Sequence, residues 1–136
     1  MLVTRTSKPA DKIALFRSLF RARDDVFARR FHSARSGRSG YSPACANEWV
    51  RGVCRKPKTK CANCPNRQFI PVSDDVVRQH LTGDDGAGRD VVMGIYPMLL
   101  NEACFLLAID LDGEEWAHDA KALLATCSEL QLPAAL

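Results

Sequence analysis

Phe105-Leu106-Leu107-Ala108-Ile109-Asp110-Leu111-Asp112 is the stretch whose reading decides the fold class of this chain. Five apolar residues run directly into two aspartates spaced by one. On a β-strand, side chains at i and i+2 share a face, so Asp110 and Asp112 would leave the end of a buried strand together, about 7 Å apart. Carboxylates held that close repel each other, and a divalent cation between them relieves the repulsion. A cation so placed can bind nucleotide phosphates, as in two-metal phosphoryl transfer. The same residues read equally well as a strand running into a turn at Asp112-Gly113, because an Asp-x-Asp triplet is a weak signal by itself.

Working outward, the strand is expected over Ala103 to Leu111, with Cys104 in the core. Asp90 to Tyr96, rich in β-branched residues, would be its antiparallel partner across a turn at Pro97 to Asn101. Beyond Gly113, Trp116, Ala120, Leu123, Leu124 and Cys127 recur at helical spacing, which predicts an amphipathic helix to about Leu130. Its N-terminus would present backbone donors beside the carboxylates. Leu132-Pro133-Ala134-Ala135-Leu136 reads as the start of another strand, which would leave an apolar sheet edge unpaired and suggests a truncated domain.

Upstream, Ser73 has the character of an N-cap, Asp74 and Asp75 suit a first helical turn, and Gly83 suits the helix end. Val76, Val77 and Leu81 give that helix an apolar side. Gly83 to Gly88 is a loop in which Asp84 and Asp85 are turn residues. His80 and His118 have no ligand partner at helical spacing and are read as surface residues. Near the N-terminus, Pro9 to Arg21 reads as a helix with Ile13, Phe16, Leu19 and Phe20 as a core stripe. Val26 to His32 alternates as a short strand, and Ser36 to Gly40 is a flexible turn.

The net charge of +3 conceals a steep asymmetry. Residues 1–72 carry 16 Lys and Arg against 4 Asp and Glu, whereas residues 73–136 carry 3 against 12. A basic half that holds phosphate and an acidic half that holds metal is one reading; mutual neutralisation of two packed halves is the other. Arg29, Arg30, Arg35 and Arg38, with Phe31 and Tyr41 nearby, form a candidate phosphate-facing patch or a solvated basic surface. At 136 residues and 46% hydrophobic, the chain suits one domain or a small domain with a module. No apolar run approaches the roughly 20 residues of a membrane span, and the N-terminus has no apolar signal region, so the expectation is a cytoplasmic protein.

In a reducing compartment, six cysteines are metal or core positions more readily than disulfides. Cys45, Cys54, Cys61 and Cys64 fall within twenty positions, and Cys61-Ala62-Asn63-Cys64 has knuckle spacing for a tetrahedral zinc. Arg51, Arg55, Lys56, Lys58, Lys60 and Arg67 surround them, favouring thiolate formation and offering a nucleic-acid contact. Pro43, Pro57, Pro65 and Pro71 argue against long regular structure, so a bound Zn²⁺ would explain how the loop orders. Reduced free cysteines are the alternative. Trp49 reads as a packing anchor of this small module in preference to a base-stacking platform. The organisation expected is therefore an N-terminal helix and basic strand (1–40), a four-cysteine insertion (41–72) and a partial catalytic core (73–136).

Several phrases together resemble one family. Phe16-Arg17-Ser18-Leu19-Phe20-Arg21, Gly37-Arg38-Ser39-Gly40-Tyr41, Ala44-Cys45-Ala46-Asn47-Glu48-Trp49, Cys61-Ala62-Asn63-Cys64-Pro65-Asn66-Arg67, Val92-Met93-Gly94-Ile95-Tyr96-Pro97 and Ala108-Ile109-Asp110-Leu111-Asp112 are similar to the archaeo-eukaryotic-type primase domain of TOTE conflict systems. The resemblance runs in order from about residue 11 to the C-terminus. It implies an α+β chain, the N-terminal half of an RRM-like primase-polymerase core with a cysteine-rich zinc-binding insertion. It further implies template-directed nucleotidyl transfer, with Asp110 and Asp112 as catalytic ligands of Mg²⁺ or Mn²⁺. DNA or RNA template, nucleoside triphosphates and a helicase or nuclease of the same system would be the partners. Such polymerases also use a Ser/Gly-rich strand with a histidine and a later acidic residue; both would lie after residue 136, so the chain alone is expected to be inactive. Two other classes stand beside this one. A zinc-dependent nucleic-acid-binding module would use the four cysteines and the surrounding cations. A metal-dependent nuclease would use the aspartate pair, although no third ligand sits at an obvious spacing.

Overall fold

The strand expected over Val26–His32 forms at the centre of the sheet, without alternating burial: Val26 to Ala28 are buried and Arg29 to His32 exposed. β1 (Ala28–His32) is the central strand of a three-stranded antiparallel sheet in the order β2-β1-β3, with β2 at Ser39–Pro43 and β3 at Met93–Gly94. The computed structural model describes residues 2–135. Arg29 pairs with Ser42 and Met93, Phe31 with Gly40, and Arg30 with Tyr41. Cross-strand partners share a face. One face therefore carries Arg29, Phe31, Gly40, Ser42 and Met93, and the other Ala28, Arg30, Tyr41 and Gly94. The hairpin closes through Ser33 and Arg38, whose N–H···O bond is 2.8 Å, with Gly37 at φ +66°. Ser39 to Pro43 is thus a strand, where the sequence had suggested a turn passing into an insertion. Its pairing is made by backbone, which Ser-Gly-Tyr-Ser-Pro does not advertise through apolar alternation.

Two helices cover one end of the first face. α1 (Pro9–Leu19) begins with proline in its first turn, and α2 (Asp74–Thr82) is capped at both ends. Ser73 Oγ accepts from the Val76 N–H at 3.3 Å, and Gly83 at φ +74° sends its own N–H back to the Gln79 and His80 carbonyls. Arg17 Nη1 reaches Asp74 Oδ1 at 2.8 Å, tying α1 to the start of α2. Phe27, Ala44, Val77 and Met93 form the core, with Ile13, Phe16, Ile70, Val72, Val76 and Ile95 packed around it. Full burial of a residue such as Val77 is worth about 1.5–3 kcal/mol.

Several side chains depart from expectation. Only Ile13 and Phe16 of the α1 stripe reach the core; Leu19 and Phe20 stay substantially exposed. His80 is half-buried: its Nδ1 accepts from the Met93 N–H at 3.4 Å and its ring meets Phe16 edge-on at 5.4 Å. Trp49 is 69% exposed and so anchors no module. Cys104 is exposed as well.

The largest difference lies in the stretch read first. A turn does form after Pro97, with the Leu99 N–H donating to the Ala103 carbonyl at 2.8 Å. Residues 103–111 nevertheless form no strand. β3 is only two residues long, and its ladder is with β1. A strand is held by ladder hydrogen bonds, and among the described residues this segment has no ladder partner. Its apolar side chains are correspondingly open, with Phe105 50%, Leu107 81% and Ile109 54% exposed. Phe105 instead takes the Arg21 guanidinium over its ring at 3.7 Å.

The chain divides after Leu106 into two compact units. In the second, α3 (Trp116–Glu129) buries Ala120 and ends where the Leu132 N–H donates to the Cys127 carbonyl at 2.8 Å. The strand expected from Leu132 is absent over 132–135, and Leu136 lies outside the described residues. Among the described residues no helix is long and apolar enough to cross a membrane.

Candidate metal centre and nucleic-acid interface

The cysteine loop springs from the end of β2. Ala44 donates to Phe27 at 2.9 Å and Ile70 donates to Ala44 at 3.0 Å, so the sheet grips both stems of the loop. An isolated bridge between Cys45 and Phe69 then closes its neck. The four prolines and short spacings leave room for one regular turn, a 3₁₀ helix at Cys61–Asn63. Two asparagines staple the remainder: Asn47 Nδ2 donates to the Asn66 carbonyl at 2.8 Å, and Asn66 Nδ2 to the Val53 carbonyl at 3.0 Å.

These turns bring Cys45, Cys54, Cys61 and Cys64 to the lining of one small pocket, beside Glu48, Lys56 and Phe69. All four are half-buried free thiols, and the Gln68 N–H donates to Cys45 Sγ at 3.3 Å. Four sulfurs around one pocket, one of them already accepting a backbone N–H, make a donor set whose chemistry suits Zn²⁺. Among the described residues, however, no three His, Cys, Asp or Glu side chains stand close enough together to hold a metal ion. The thiols share a pocket without converging on a point.

Lys56 links this pocket to the sheet. Its Nζ lies 2.6 Å from Glu48 Oε1, which also accepts from Ser42 Oγ of β2 at 3.2 Å. Burial pulls the Lys56 ammonium down, but the hydrogen bond and charge of Glu48, with Cys61 adding to them, hold it above the ordinary lysine value. Burial pushes the Tyr96 phenol up, and Cys61 adds to this while Arg23 and Lys56 oppose it.

The predicted cations separate into groups. Arg29, Arg38 and Lys56 line one groove over the uncovered end of the sheet, together with Phe31, Ser42, Glu48 and Trp49. Arg30 stands on the opposite face with Tyr41. Arg55 and Arg67 line the cysteine pocket with Lys56, Arg67 also donating to the Ala62 carbonyl and lying over Phe69 at 5.6 Å. Arg51, Lys58 and Lys60 are exposed on the loop. Trp49 is the groove residue that sequence reasoning misplaced; its neighbours Glu48 and Val50 give no clear signal either way.

Asp110 and Asp112 belong to the second unit, exposed on irregular chain and separated from α3 by Gly113 at φ +104° and two glutamates. Asp25, Asp74, Asp75 and Asp85 each meet an arginine. Among the described residues no ion pair engages Asp110 or Asp112. Both carboxylates are therefore uncommitted and accessible, although no third acidic or histidine ligand gathers with them.

The family model described as the TOTE conflict system archaeo-eukaryotic primase domain matches residues 11–136, a span that includes the sheet, the four loop cysteines and both aspartates. No curated protein and no solved structure shows a significant match. By that match over nearly its whole length, the chain belongs to the archaeo-eukaryotic primase domain family of TOTE conflict systems.

Proposed function

We propose that this chain supplies the first metal-binding motif and the template-holding part of a primase-polymerase that joins nucleotides on a DNA or RNA template. Family membership across residues 11–136, with Asp110-Leu111-Asp112 inside that span, is the observation that carries the reading. Asp110 and Asp112 would hold Mg²⁺ or Mn²⁺, which when bound supplies charge neutralisation for a nucleoside triphosphate and an activated attacking hydroxyl. The uncommitted state of the two carboxylates supports this role, because neither would have to give up an ion pair to take a cation. Cys45, Cys54, Cys61 and Cys64 would take Zn²⁺ as a structural ion that orders the loop. A helicase or nuclease of the same conflict system would be the working partner.

Residues 1–136 alone are proposed to turn over little, since two carboxylates without a gathered third ligand do not position metal and triphosphate together. Mn²⁺ titration followed by NMR tests the metal role directly. Paramagnetic broadening should begin at Asp110 to Gly113 and vanish in Asp110→Asn with Asp112→Asn. Broadening confined to the Asp84–Asp85 loop would overturn it. Primed-template extension by residues 1–136 that Asp110→Asn abolishes would overturn the inactivity, and strand cleavage without incorporation would replace polymerase by nuclease.

A second reading, a zinc-dependent nucleic-acid-binding module, is favoured by the shared pocket of the four cysteines. It predicts salt-sensitive binding that chelator-stripped protein loses and that Asp110→Asn leaves intact.

A further inference from the structure

We infer that the groove over the uncovered end of the sheet is a stacking site for single-stranded nucleic acid, with Phe31 and Trp49 as the base platforms and Arg29 and Arg38 as the phosphate contacts. The inference rests on the nucleic-acid-binding part of the function proposed above and gives it a location and a strand preference.

Four observations converge on it. First, α1 and α2 cover the sheet face only at Phe27, Ala44 and Met93; further along the same face Arg29 and Phe31 remain open. Second, two large aromatic side chains line one groove while exposed, Phe31 at 47% and Trp49 at 69%. Base stacking is the use such paired rings serve in single-strand grooves. Third, Phe31 is seated for this use. Its register partner is Gly40, and a Cβ on Gly40 would stand 2.9 Å from Phe31 Cζ. The end of the ring therefore packs over bare backbone, and the rest of a side chain that is 47% exposed is left for a ligand. Trp49 is exposed on a backbone at φ +61°, a conformation that costs a non-glycine residue about 1–3 kcal/mol.

Fourth, the charge selects the ligand. Glu48 is the single acid of the groove, and Lys56 neutralises it at 2.6 Å. Arg29 and Arg38 are left to set the sign, and both are exposed. An apolar peptide would leave these guanidiniums without partners, and an acidic peptide would offer the aromatic rings nothing to stack on. Unpaired bases on an anionic backbone satisfy both. A duplex hides its base faces, so it would use the arginines and leave the rings idle.

The test uses the full chain and fluorescein-labelled oligothymidylate of roughly a dozen nucleotides, a length within the range such grooves cover. Anisotropy gives Kd, and Trp49 emission in a Trp116→Phe background reports stacking. The expected results are quenching of Trp49 on binding, a Kd raised about tenfold by Trp49→Ala and largely restored by Trp49→Phe, and an unchanged salt slope in Trp49→Ala. Arg38→Ala should instead flatten the salt slope by about 0.7, one phosphate contact on a single strand. Equal affinity for the matching duplex, or binding with no Trp49 quenching and no effect of Trp49→Ala, would overturn the inference while leaving the nucleotidyl-transfer reading intact. Quenching and the Trp49 effect together with Mn²⁺ broadening absent from Asp110 and Asp112 would do the reverse: the stacking site would stand and the polymerase reading would fall.

Discussion

Glu48→Gln tests whether the charge of Glu48 joins the cysteine loop to the sheet. Glu48 and Lys56 are 16% and 17% exposed and 2.6 Å apart, and Ser42 Oγ of β2 donates to the same carboxylate oxygen at 3.2 Å. Glutamine keeps the shape and can still accept from both donors, so what is lost is the charge opposite Lys56. Exposed ion pairs contribute up to ~1 kcal/mol, whereas breaking a fully buried pair costs about 3–5 kcal/mol. A pair with one-sixth of each side chain exposed falls between these, at about 2 kcal/mol. The pH dependence carries the same sign. Lys56 titrates above its unfolded value, so its contribution is complete below the ordinary lysine range and is lost as pH rises through the folded value. Glu48→Gln should flatten that alkaline loss. Urea denaturation at neutral pH, followed by Trp49 emission close to Lys56, gives the free energy. A double-mutant cycle with Lys56→Met isolates the pair, and coupling indistinguishable from zero would refute the reasoning.

Three further outcomes follow from the geometry. Ser73→Ala removes the oxygen that caps the Val76 N–H and should destabilise the first unit by about 1 kcal/mol in urea, with an unchanged m-value. The hydrogen bond from Arg23, aided by its charge, holds the Asp25 carboxyl below its ordinary value; its contribution is therefore present above about pH 4 and lost as pH falls through the lower folded value. Asp25→Asn should remove a modest part of the acid-side fall in Tm, modest because the carboxylate is half exposed. Native mass spectrometry of zinc-supplemented protein should show one zinc per chain, absent in Cys61→Ser with Cys64→Ser, and chelation should lower Tm by several degrees; a protein that retains its Tm and takes up no zinc would show that the four thiols are structural cysteines only.

Legibility in the sequence followed the kind of force involved. Helix ends are set by a few atoms close in sequence, so Pro9, Ser73 and Gly83 announced α1 and α2 to within a residue or two. β1 announced itself by the aromatic and aliphatic residues of Val26 to His32 and not by alternating burial: Val26, Phe27 and Ala28 are buried in succession and Arg29 to His32 are exposed. β2 did not: Ser39 to Pro43 is held by backbone pairing and by the Gly40 vacancy under Phe31, and neither leaves an apolar pattern. The run from Phe105 to Ile109 shows the converse error. An apolar run states that burial would be favourable and says nothing of what supplies the ladder; here β3 is two residues long and already paired to β1. The four closely spaced cysteines line one pocket, since a loop pinned at Cys45 and Phe69 has little freedom to separate them, but spacing does not bring their sulfurs to one point. Spacing did not reveal the exposure of Trp49, which stands at a left-handed φ of +61° that no local motif announces.

The uncovered end of the sheet follows from the lengths of the elements that pack on it. α2 has nine residues, about 13 Å of helix, and its one fully buried side chain is Val77, which belongs to the cluster of Phe27, Ala44 and Met93. Cover therefore centres on the end of the face where β1 begins. β1 and β2 extend past it to His32 and Ser39. A longer α2 is precluded by Gly83, whose left-handed turn returns the chain through the Asp84–Asp85 loop, where Asp84 Oδ1 accepts from the Gly86 and Gly88 N–H groups and Asp85 Oδ1 from those of Ala87 and Arg89. Gly83→Ala tests whether the groove is independent of this cap: alanine at φ +74° is strained by about 1 kcal/mol, and it should lower stability without altering single-strand affinity measured under conditions where the protein remains folded. A change in affinity at constant fold would mean that the groove depends on the helix cap more directly than the packing allows.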